Sequence, residues 1–201
     1  MSDIQQFKAT YTILTAWASG SWEQAVKAYF KIDDYISRQM AEGRDFHKEC
    51  EEHIKTTKSL PEIFGGRKLS DPKSEQYFKV AVPGHDWLLI SGVIDCLDTP
   101  AIHEFKTGSQ SSEEYANSNQ TGIYAVLATL SGLYVDRAYI YHYDQYTKQV
   151  DTSMVWLTDK LLKETMEWIV KYSWDMHQYL LSQDAYNKLG HYLVNKNNNH
   201  G

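Results

Sequence analysis

The spacing of hydrophobic side chains divides the first third of the chain into helices and a connector. Residues 11–30 carry apolar side chains at helical intervals, interrupted at Gly20–Ser21, which predicts two short helices. Residues 32–57 keep the helical spacing and predict one long amphipathic helix, with Gly43 as a candidate break. Residues 58–74 combine proline, a Gly-Gly pair and an Asp-Pro pair, and they predict a connector.

The hydrophobic period then changes from that of a helix to that of a strand. Alternating side chains predict three strands, at residues 76–82, 87–97 and 101–106. The segments between them, Pro83–Asp86 and Asp98–Pro100, have the composition of tight turns. Strands joined by such short turns pair side by side.

The second half of the chain predicts two more helices and two more strands. The helices run from Ser111 or Ser112 to about Ser131 and from Thr158 to about Asn187, with strands at 134–143 and 149–156. The order of elements predicts one α/β domain over residues 1–190, with a central mixed β-sheet flanked by helices. The polar residues 191–201 are expected to be disordered.

Composition narrows the class of protein. The chain has 201 residues, 42% of them hydrophobic, which suits one core. No apolar run approaches the roughly 20 residues that span a bilayer, and the first residues do not resemble a signal peptide. The two cysteines are too few for a four-cysteine iron–sulfur cluster. We therefore expect a cytoplasmic protein with free thiols, no membrane partner and no iron–sulfur cluster.

The net charge of −6 argues against a protein that coats nucleic acid, because such proteins bind by neutralising phosphates. The charge still allows an enzyme that acts on nucleic acid at one cleft, where bound cations and local basic residues set the field.

Three charged side chains in residues 92–108 are predicted to converge. Glu104 and Lys106 are two apart in a strand, so they emerge on the same face. Asp95 lies on the neighbouring strand of the predicted hairpin. Two carboxylates suit Mg²⁺ or Mn²⁺, which would neutralise a phosphate and lower the pKa of a bound water, while the amine stabilises developing charge. These are the needs of phosphodiester hydrolysis.

The motifs around these residues resemble the PD-(D/E)XK nuclease superfamily, and within it the RecB-like exonuclease branch. The order is Gly92–Val93–Ile94–Asp95, then Glu104–Phe105–Lys106, then Gln120 and Tyr124 four apart on a helix, with Gly43–x–x–x–His47 upstream. The resemblance covers roughly residues 10–157. It implies a restriction-endonuclease-like fold and a DNA exonuclease or single-strand-processing enzyme of recombination, repair or phage origin.

The resemblance also implies roles for individual residues. Asp95, Glu104 and the Phe105 carbonyl would bind Mg²⁺ or Mn²⁺, and His47 would complete the coordination. Lys106 would be the catalytic lysine. The remaining motif residues would hold the site or contact the substrate, namely Gln120 and Tyr124. The cysteine cluster of the iron–sulfur members and the P-loop of helicases are both missing.

Several alternatives stay open at the level of sequence. The charged residues could be an ordinary ion-pair set on a sheet, in which case the chain would be a catalytically silent binding module for nucleic acid or protein. His53 and Glu51 compete with His47 for the metal role, and Tyr124 could be a core residue.

Two further segments have open roles as contact surfaces. The basic connector between Lys55 and Lys79 could follow a DNA backbone or simply be solvated. The aromatic residues of the last helix could be core, or an interface for a protein partner or a second copy: Trp168, Tyr172, Trp174 and Tyr179.

Overall fold

One six-stranded sheet and six α-helices make up the part of the chain that the structure describes, residues 6–32 and 38–185 of a computed structural model. In chain order they are β1 (Phe7–Ala9), α1 (Tyr11–Ala18), α2 (Trp22–Phe30), α3 (Arg38–Thr57), β2 (Lys73–Val82), β3 (His85–Asp98), β4 (Ala101–Thr107), α4 (Ser112–Ala116), α5 (Asn119–Leu130), β5 (Arg137–Tyr143), β6 (Val150–Trp156) and α6 (Asp159–Ser182).

The sheet is mixed, and it forks at β3. One edge of β3 pairs antiparallel with β2 along most of its length. The other edge is shared: β1 pairs with it in parallel at Leu88–Ile90, and β4 pairs with it antiparallel at Cys96–Asp98. β4 continues in parallel with β5, which pairs antiparallel with β6. Residues 91–95 of β3 therefore lie between two departing strands.

Helices cover both faces of this sheet. α1, α5 and α6 pack on one face around the larger apolar core, which includes Leu14, Ile94, Ile102, Leu127, Ile140 and Ile169. α3 and the connector pack on the other face around a smaller cluster of Cys50, Ile54, Leu60, Phe64, Phe105 and Tyr141. The predicted single sheet flanked by helices is confirmed.

Three local predictions differ from the structure. Gly43 lies within an unbroken α3 and does not divide it. The predicted helix at 111–131 is two helices, because Ser118 caps a second start by accepting from the Gln120 N–H. β1 was not predicted, since it has only three residues and its parallel partner lies about eighty positions further along the chain.

The end of the chain bears on the remaining predictions. α6 ends at Ser182, earlier than the predicted Asn187, and residues 33–37 and 186–201 lie outside the described part. The domain limits and the disordered tail therefore stay predictions.

Within the described ranges, no helix is long and apolar enough to cross a bilayer. The free thiols of Cys50 and Cys96 are both buried. On α6, Trp174 and Tyr179 are about half exposed.

Candidate active site

The acidic residue predicted on β3, Asp95, lies where the sheet forks. The β4 ladder begins at Cys96–His103, and on the β2 side the position opposite Asp95, Glu75, is left out of the ladder. Asp95 Oδ2 accepts a hydrogen bond from the Phe105 N–H at 2.8 Å. A carboxylate thus replaces a backbone acceptor between diverging strands. Since the N–H and C=O of a strand residue point to the same edge, the Phe105 carbonyl faces this gap as well.

Helix α3 brings His47 to the same carboxylate. His47 Nδ1 lies 3.4 Å from Asp95 Oδ2. Burial lowers the pKa of His47, but the hydrogen bond and the charge of Asp95 raise it by more. Gly43 explains how the helix comes so close, because a Cβ at that position would lie 3.0 Å from Thr107 Oγ1 on β4. The spacing Gly43–x–x–x–His47 therefore has a packing reason.

A hydrogen-bonded chain joins the other motif residues on the face that α5 covers. Lys106 Nζ donates to Glu104 Oε1 at 2.7 Å, and Gln120 Nε2 donates to the same oxygen at 2.9 Å. Gln120 Nε2 also lies 2.8 Å from the Tyr124 hydroxyl. Tyr124 belongs to the larger core, so the core alternative holds for its ring while its hydroxyl ends this chain of hydrogen bonds.

The pKa values of Glu104 and Lys106 are both raised. Glu104 is 5% exposed, and its pKa is raised first by burial and then by the charge of Asp95. The Lys106 ammonium opposes that rise without overcoming it. Burial lowers the pKa of Lys106, but Glu104 and Asp95 raise it by more, so the amine is held protonated. An additional cation would stabilise the ionised form of Glu104.

The glycine of the Gly92–Asp95 motif seats α5 against β3. A Cβ at Gly92 would lie 3.0 Å from Leu127 Cδ1 and 3.2 Å from Tyr124 Cε1. A residue without a side chain lets the helix come this close without displacing Leu127 or Tyr124. Gln120 is one turn before Tyr124, so the same contact places its amide beside Glu104.

Glu75 is a cleft residue that the sequence analysis missed. It lies opposite Asp95 on β2 with φ of 50°, in the left-handed region that residues other than glycine rarely adopt. Partial burial, then the charges of Asp95 and Glu51, raise the pKa of its exposed carboxyl. No motif marked it, because the signal is a backbone conformation. Strained backbone of this kind is concentrated at functional sites.

A cleft of about 720 Å³ lies beside the site, and its lining does not include Asp95, Glu104 or Lys106. His47 and Glu75 lie in its wall with Arg44, Gln110, Tyr115, Gln145 and Tyr146. The Lys106 ammonium lies 5.6 Å from the centre of the Tyr115 ring, which links the buried amine to the cleft. The space is large enough for a nucleotide-sized ligand.

The residues present fit a hydrated divalent cation rather than a closed cage of protein ligands. Glu104 Oε2 is buried and has no hydrogen-bond partner among the described residues. No three His, Cys, Asp or Glu side chains of those residues lie close enough together to chelate an ion. Mg²⁺ needs no such group, since it keeps several waters and binds proteins through one or two carboxylates. Asp95, Glu104 and the Phe105 carbonyl are the groups suited to hold it.

The competing residues on α3 have other contacts. His53 Nε2 lies 3.4 Å from the Ser59 hydroxyl, and Glu51 forms an ion pair with Lys55 one helical turn away. Neither contacts Asp95 in the way that His47 does. His103 lies fully buried on the face opposite Glu104, with Nδ1 3.1 Å from the Tyr141 hydroxyl.

Solved structures of exonucleases share this fold. An alkaline exonuclease from Laribacter hongkongensis superposes with a TM-score of 0.55 at 12% identity, covering 89% of this chain and 93% of that one. It has also been crystallised in complex with dAMP. A phage-related exonuclease from Haemophilus somnus 129PT gives a TM-score of 0.53 at 11% identity, covering 90% and 98%.

A third structure, that of SSO0001, gives a TM-score of 0.56 at 14% identity and covers 87% of this chain and 77% of that one. No protein-family model matches the sequence, and no curated protein matches it significantly. At such low identity the likeness concerns the fold alone. The chain thus has the single-domain α/β architecture of alkaline and phage-related exonucleases.

Proposed function

We propose that the protein is a nuclease that hydrolyses DNA phosphodiesters with Mg²⁺ or Mn²⁺, as an exonuclease or single-strand-processing enzyme of the RecB-like kind. The observation that carries this proposal is the fork in the sheet, where the carboxylates of Asp95 and Glu104 lie near the half-buried amine of Lys106. The exonuclease fold of the neighbours and the dAMP complex of one of them support it.

The site residues have two roles in this proposal, metal binding and stabilisation of charge on the phosphate. Asp95, Glu104 and the Phe105 carbonyl would hold the cation, with His47 beside Asp95. When bound, the cation would neutralise phosphate charge and make a water molecule a better nucleophile. The Lys106 amine donates to Glu104 Oε1, and its role in this proposal is to stabilise negative charge on the phosphate in the transition state.

Gln120 serves as a positioning residue in this proposal. Its amide donates to Glu104 Oε1, the oxygen that Lys106 also uses, and so fixes the carboxylate rotamer. The other oxygen of Glu104 stays available for a ligand. Tyr124 in turn holds the Gln120 amide. Removing either residue would loosen Glu104 without removing a group that meets the substrate.

A catalytically silent binding module is the second candidate, and one observation favours it. Lys106 and Glu104 form an ion pair at 2.7 Å, as expected if these charges served only to stabilise the sheet. The two candidates differ in one respect that can be measured: only the nuclease needs Lys106 for turnover.

The test is cleavage of DNA labelled at the 5′ or the 3′ end, single-stranded and duplex, in Mn²⁺. We expect the wild type to cleave and Lys106→Ala to lose activity on the order of 10²-fold or more. Lys160→Ala is the matched control, because Lys160 is an exposed amine at the start of α6. Excess EDTA should abolish cleavage. A wild type without activity, or Lys106→Ala equal to it with the same melting curve, would overturn the proposal.

A further inference from the structure

The hairpin between β5 and β6 separates two depressions of the surface. Gln145 and Tyr146 line the large cleft on one side, and they also line a second depression of about 450 Å³ on the other. The second depression is completed by Glu42, Asp45, Phe46, Glu49, Tyr143 and Lys148. The hairpin tip is therefore a ridge, and Tyr146 on it is 74% exposed.

Backbone hydrogen bonds hold this ridge in one conformation. Asp144 Oδ1 accepts from the N–H groups of Tyr146 at 2.8 Å and Thr147 at 3.1 Å. The Lys148 N–H donates to the Asp144 carbonyl at 2.8 Å, and the Asp144 N–H donates to the Gln149 carbonyl at 2.9 Å. The bonds from the Thr147 and Tyr146 N–H groups lower the pKa of the Asp144 carboxyl. An exposed aromatic ring on a fixed turn loses little entropy when a ligand packs on it.

The two sides of the ridge differ in charge. Among the described residues, the carboxylates of Glu42, Asp45 and Glu49 and the amine of Lys148 line the second depression, and Asp45 Oδ1 lies 3.9 Å from Arg44 Nε. The described lining of the large cleft contains the Arg44 guanidinium and one carboxylate, that of Glu75. The second depression is therefore the more acidic side and repels a phosphate backbone more strongly than the cleft side does, while an uncharged nucleobase can lie on the ring between them.

We propose that Tyr146 is a base-stacking residue that holds a nucleobase of a single strand whose phosphates lie in the cleft. This inference rests on the proposed function, because it takes the substrate to be DNA. Stacking on an aromatic ring is open to all four bases, so the ridge would fix the position of the strand without reading its sequence. Tyr146 would thereby set how far the strand end reaches toward Glu104 and Lys106.

The experiment measures binding separately from cleavage. The probe is a fluorescein-labelled single strand of mixed sequence, titrated in Ca²⁺ with wild type, Tyr146→Ala, Tyr146→Phe and Tyr134→Ala. Tyr134 is the matched control, because it is 72% exposed and lies outside the residues that line the cleft. A parallel series of probes carries one abasic site moved stepwise from the end. Tyr146 bonds to Asp144 through its backbone, so the substitutions leave the turn intact.

We expect Tyr146→Ala to raise the Kd about ten-fold, within the range that removal of one stacking ring produces. Tyr146→Phe and Tyr134→Ala should stay within about two-fold of the wild type, since each keeps the ring of residue 146. On the probe whose abasic site falls at the ridge, wild type and Tyr146→Ala should bind equally.

Equal Kd values for wild type and Tyr146→Ala on the intact probe would overturn the inference. So would a loss that persists on every abasic probe, because the ring would then contact something other than a base. If binding depends on Tyr146 but no DNA is cleaved, the nuclease proposal is wrong and the stacking role of Tyr146 still holds. If DNA is cleaved but Tyr146→Ala binds like the wild type, the nuclease proposal holds and the stacking role is wrong. No binding by the wild type would overturn both.

Discussion

His47 and Asp95 connect helix α3 to the fork of the sheet. Their 3.4 Å contact is the feature that separates His47 from His53, which lies two turns further along the helix and contacts Ser59. If a cation binds at Asp95, the imidazole can take part in holding it or in orienting the carboxylate. Both roles affect metal affinity.

Replacing His47 tests that assignment. We expect His47→Ala to weaken Mn²⁺ binding by roughly ten-fold or more, because outer or inner ligands of this kind commonly contribute that much. Isothermal titration with Mn²⁺ in the absence of DNA is the measurement. His53→Ala is the control and should bind Mn²⁺ like the wild type. Equal affinities for wild type and His47→Ala would remove this histidine from the metal site.

Glu75 combines a strained backbone with a place in the cleft. Its φ of 50° resembles that of Lys31, which ends α2 with φ of 53°. A side chain in this region costs energy that glycine avoids, while glycine makes the unfolded chain more flexible. Substitution by glycine relieves the strain and removes the carboxylate together, so stability is measured for the first and cleavage for the second.

We expect Glu75→Gly and Lys31→Gly to leave the free energy of unfolding unchanged or raised by up to about 1 kcal/mol. Only Glu75→Gly should slow DNA cleavage, because Lys31 lies outside the cleft. Urea unfolding and the end-label assay provide the two readings. Full activity in Glu75→Gly would show that the carboxylate is a bystander.

At the scale of elements, the sequence predicted those parts of the fold that have a periodic pattern. Alternation located β2 to β4, and the four-residue spacing of Gln120 and Tyr124 placed both on one side of α5. Each pattern reports burial of one face, which is a local property. The division into α4 and α5 was missed because Ser118 restarts the helix within an otherwise helical stretch.

The fork of the sheet could not be predicted in the same way. It depends on β1 and β4 sharing one edge of β3, and no local pattern records which strands meet. Glu75 was missed for a related reason, since its position in the cleft follows from pairing between β2 and β3. Motif spacing predicted the candidate site residues, while the unpaired edge of β3 beside them is a property of the assembled sheet.

The contact between α5 and β3 can be tested at Gly92. A methyl group there would meet Leu127 and Tyr124, so we expect Gly92→Ala to destabilise the protein by about 1–3 kcal/mol. Adding Leu127→Ala removes the nearer of the two contacts. The loss of unfolding free energy caused by Leu127→Ala should therefore be smaller in the Gly92→Ala background than in the wild type. A double-mutant cycle by urea unfolding measures this difference. Strictly additive effects would contradict close packing at this point.

His103, on the face of β4 opposite Glu104, gives a prediction about the pH dependence of stability. Burial first, then the nearby Arg67 charge, lower the pKa of His103 to about 4. In the unfolded chain His103 takes up a proton near pH 6.5, whereas in the folded chain it does so only near pH 4. Neutral His103 therefore contributes its full share to the free energy of unfolding above about pH 6.5, and this contribution is lost as the pH falls toward 4. The change is on the order of 3 kcal/mol.

His103→Phe removes this titration and keeps a ring between Tyr139 and Tyr141. We expect the wild type to lose more unfolding free energy than the variant between pH 7 and pH 4.5, measured by urea unfolding at each pH. Parallel curves for the two proteins would mean that His103 does not titrate abnormally.

For the whole molecule, the net charge of −6 opposes approach of a polyanion. The acids of the fork and the cleft add to that repulsion, so DNA can be held there only if a cation balances Asp95 and Glu104. We therefore expect the protein to bind DNA weakly once divalent cations are removed.

A crystal of the wild type soaked in Mn²⁺ tests the presence of that ion most directly. We expect an anomalous peak at the fork, about 2.1–2.3 Å from carboxylate oxygens of both Asp95 and Glu104, and its loss in Glu104→Gln. A well-diffracting crystal with no peak between these two residues, or with Mn²⁺ bound only elsewhere, would contradict a metal-dependent nuclease site.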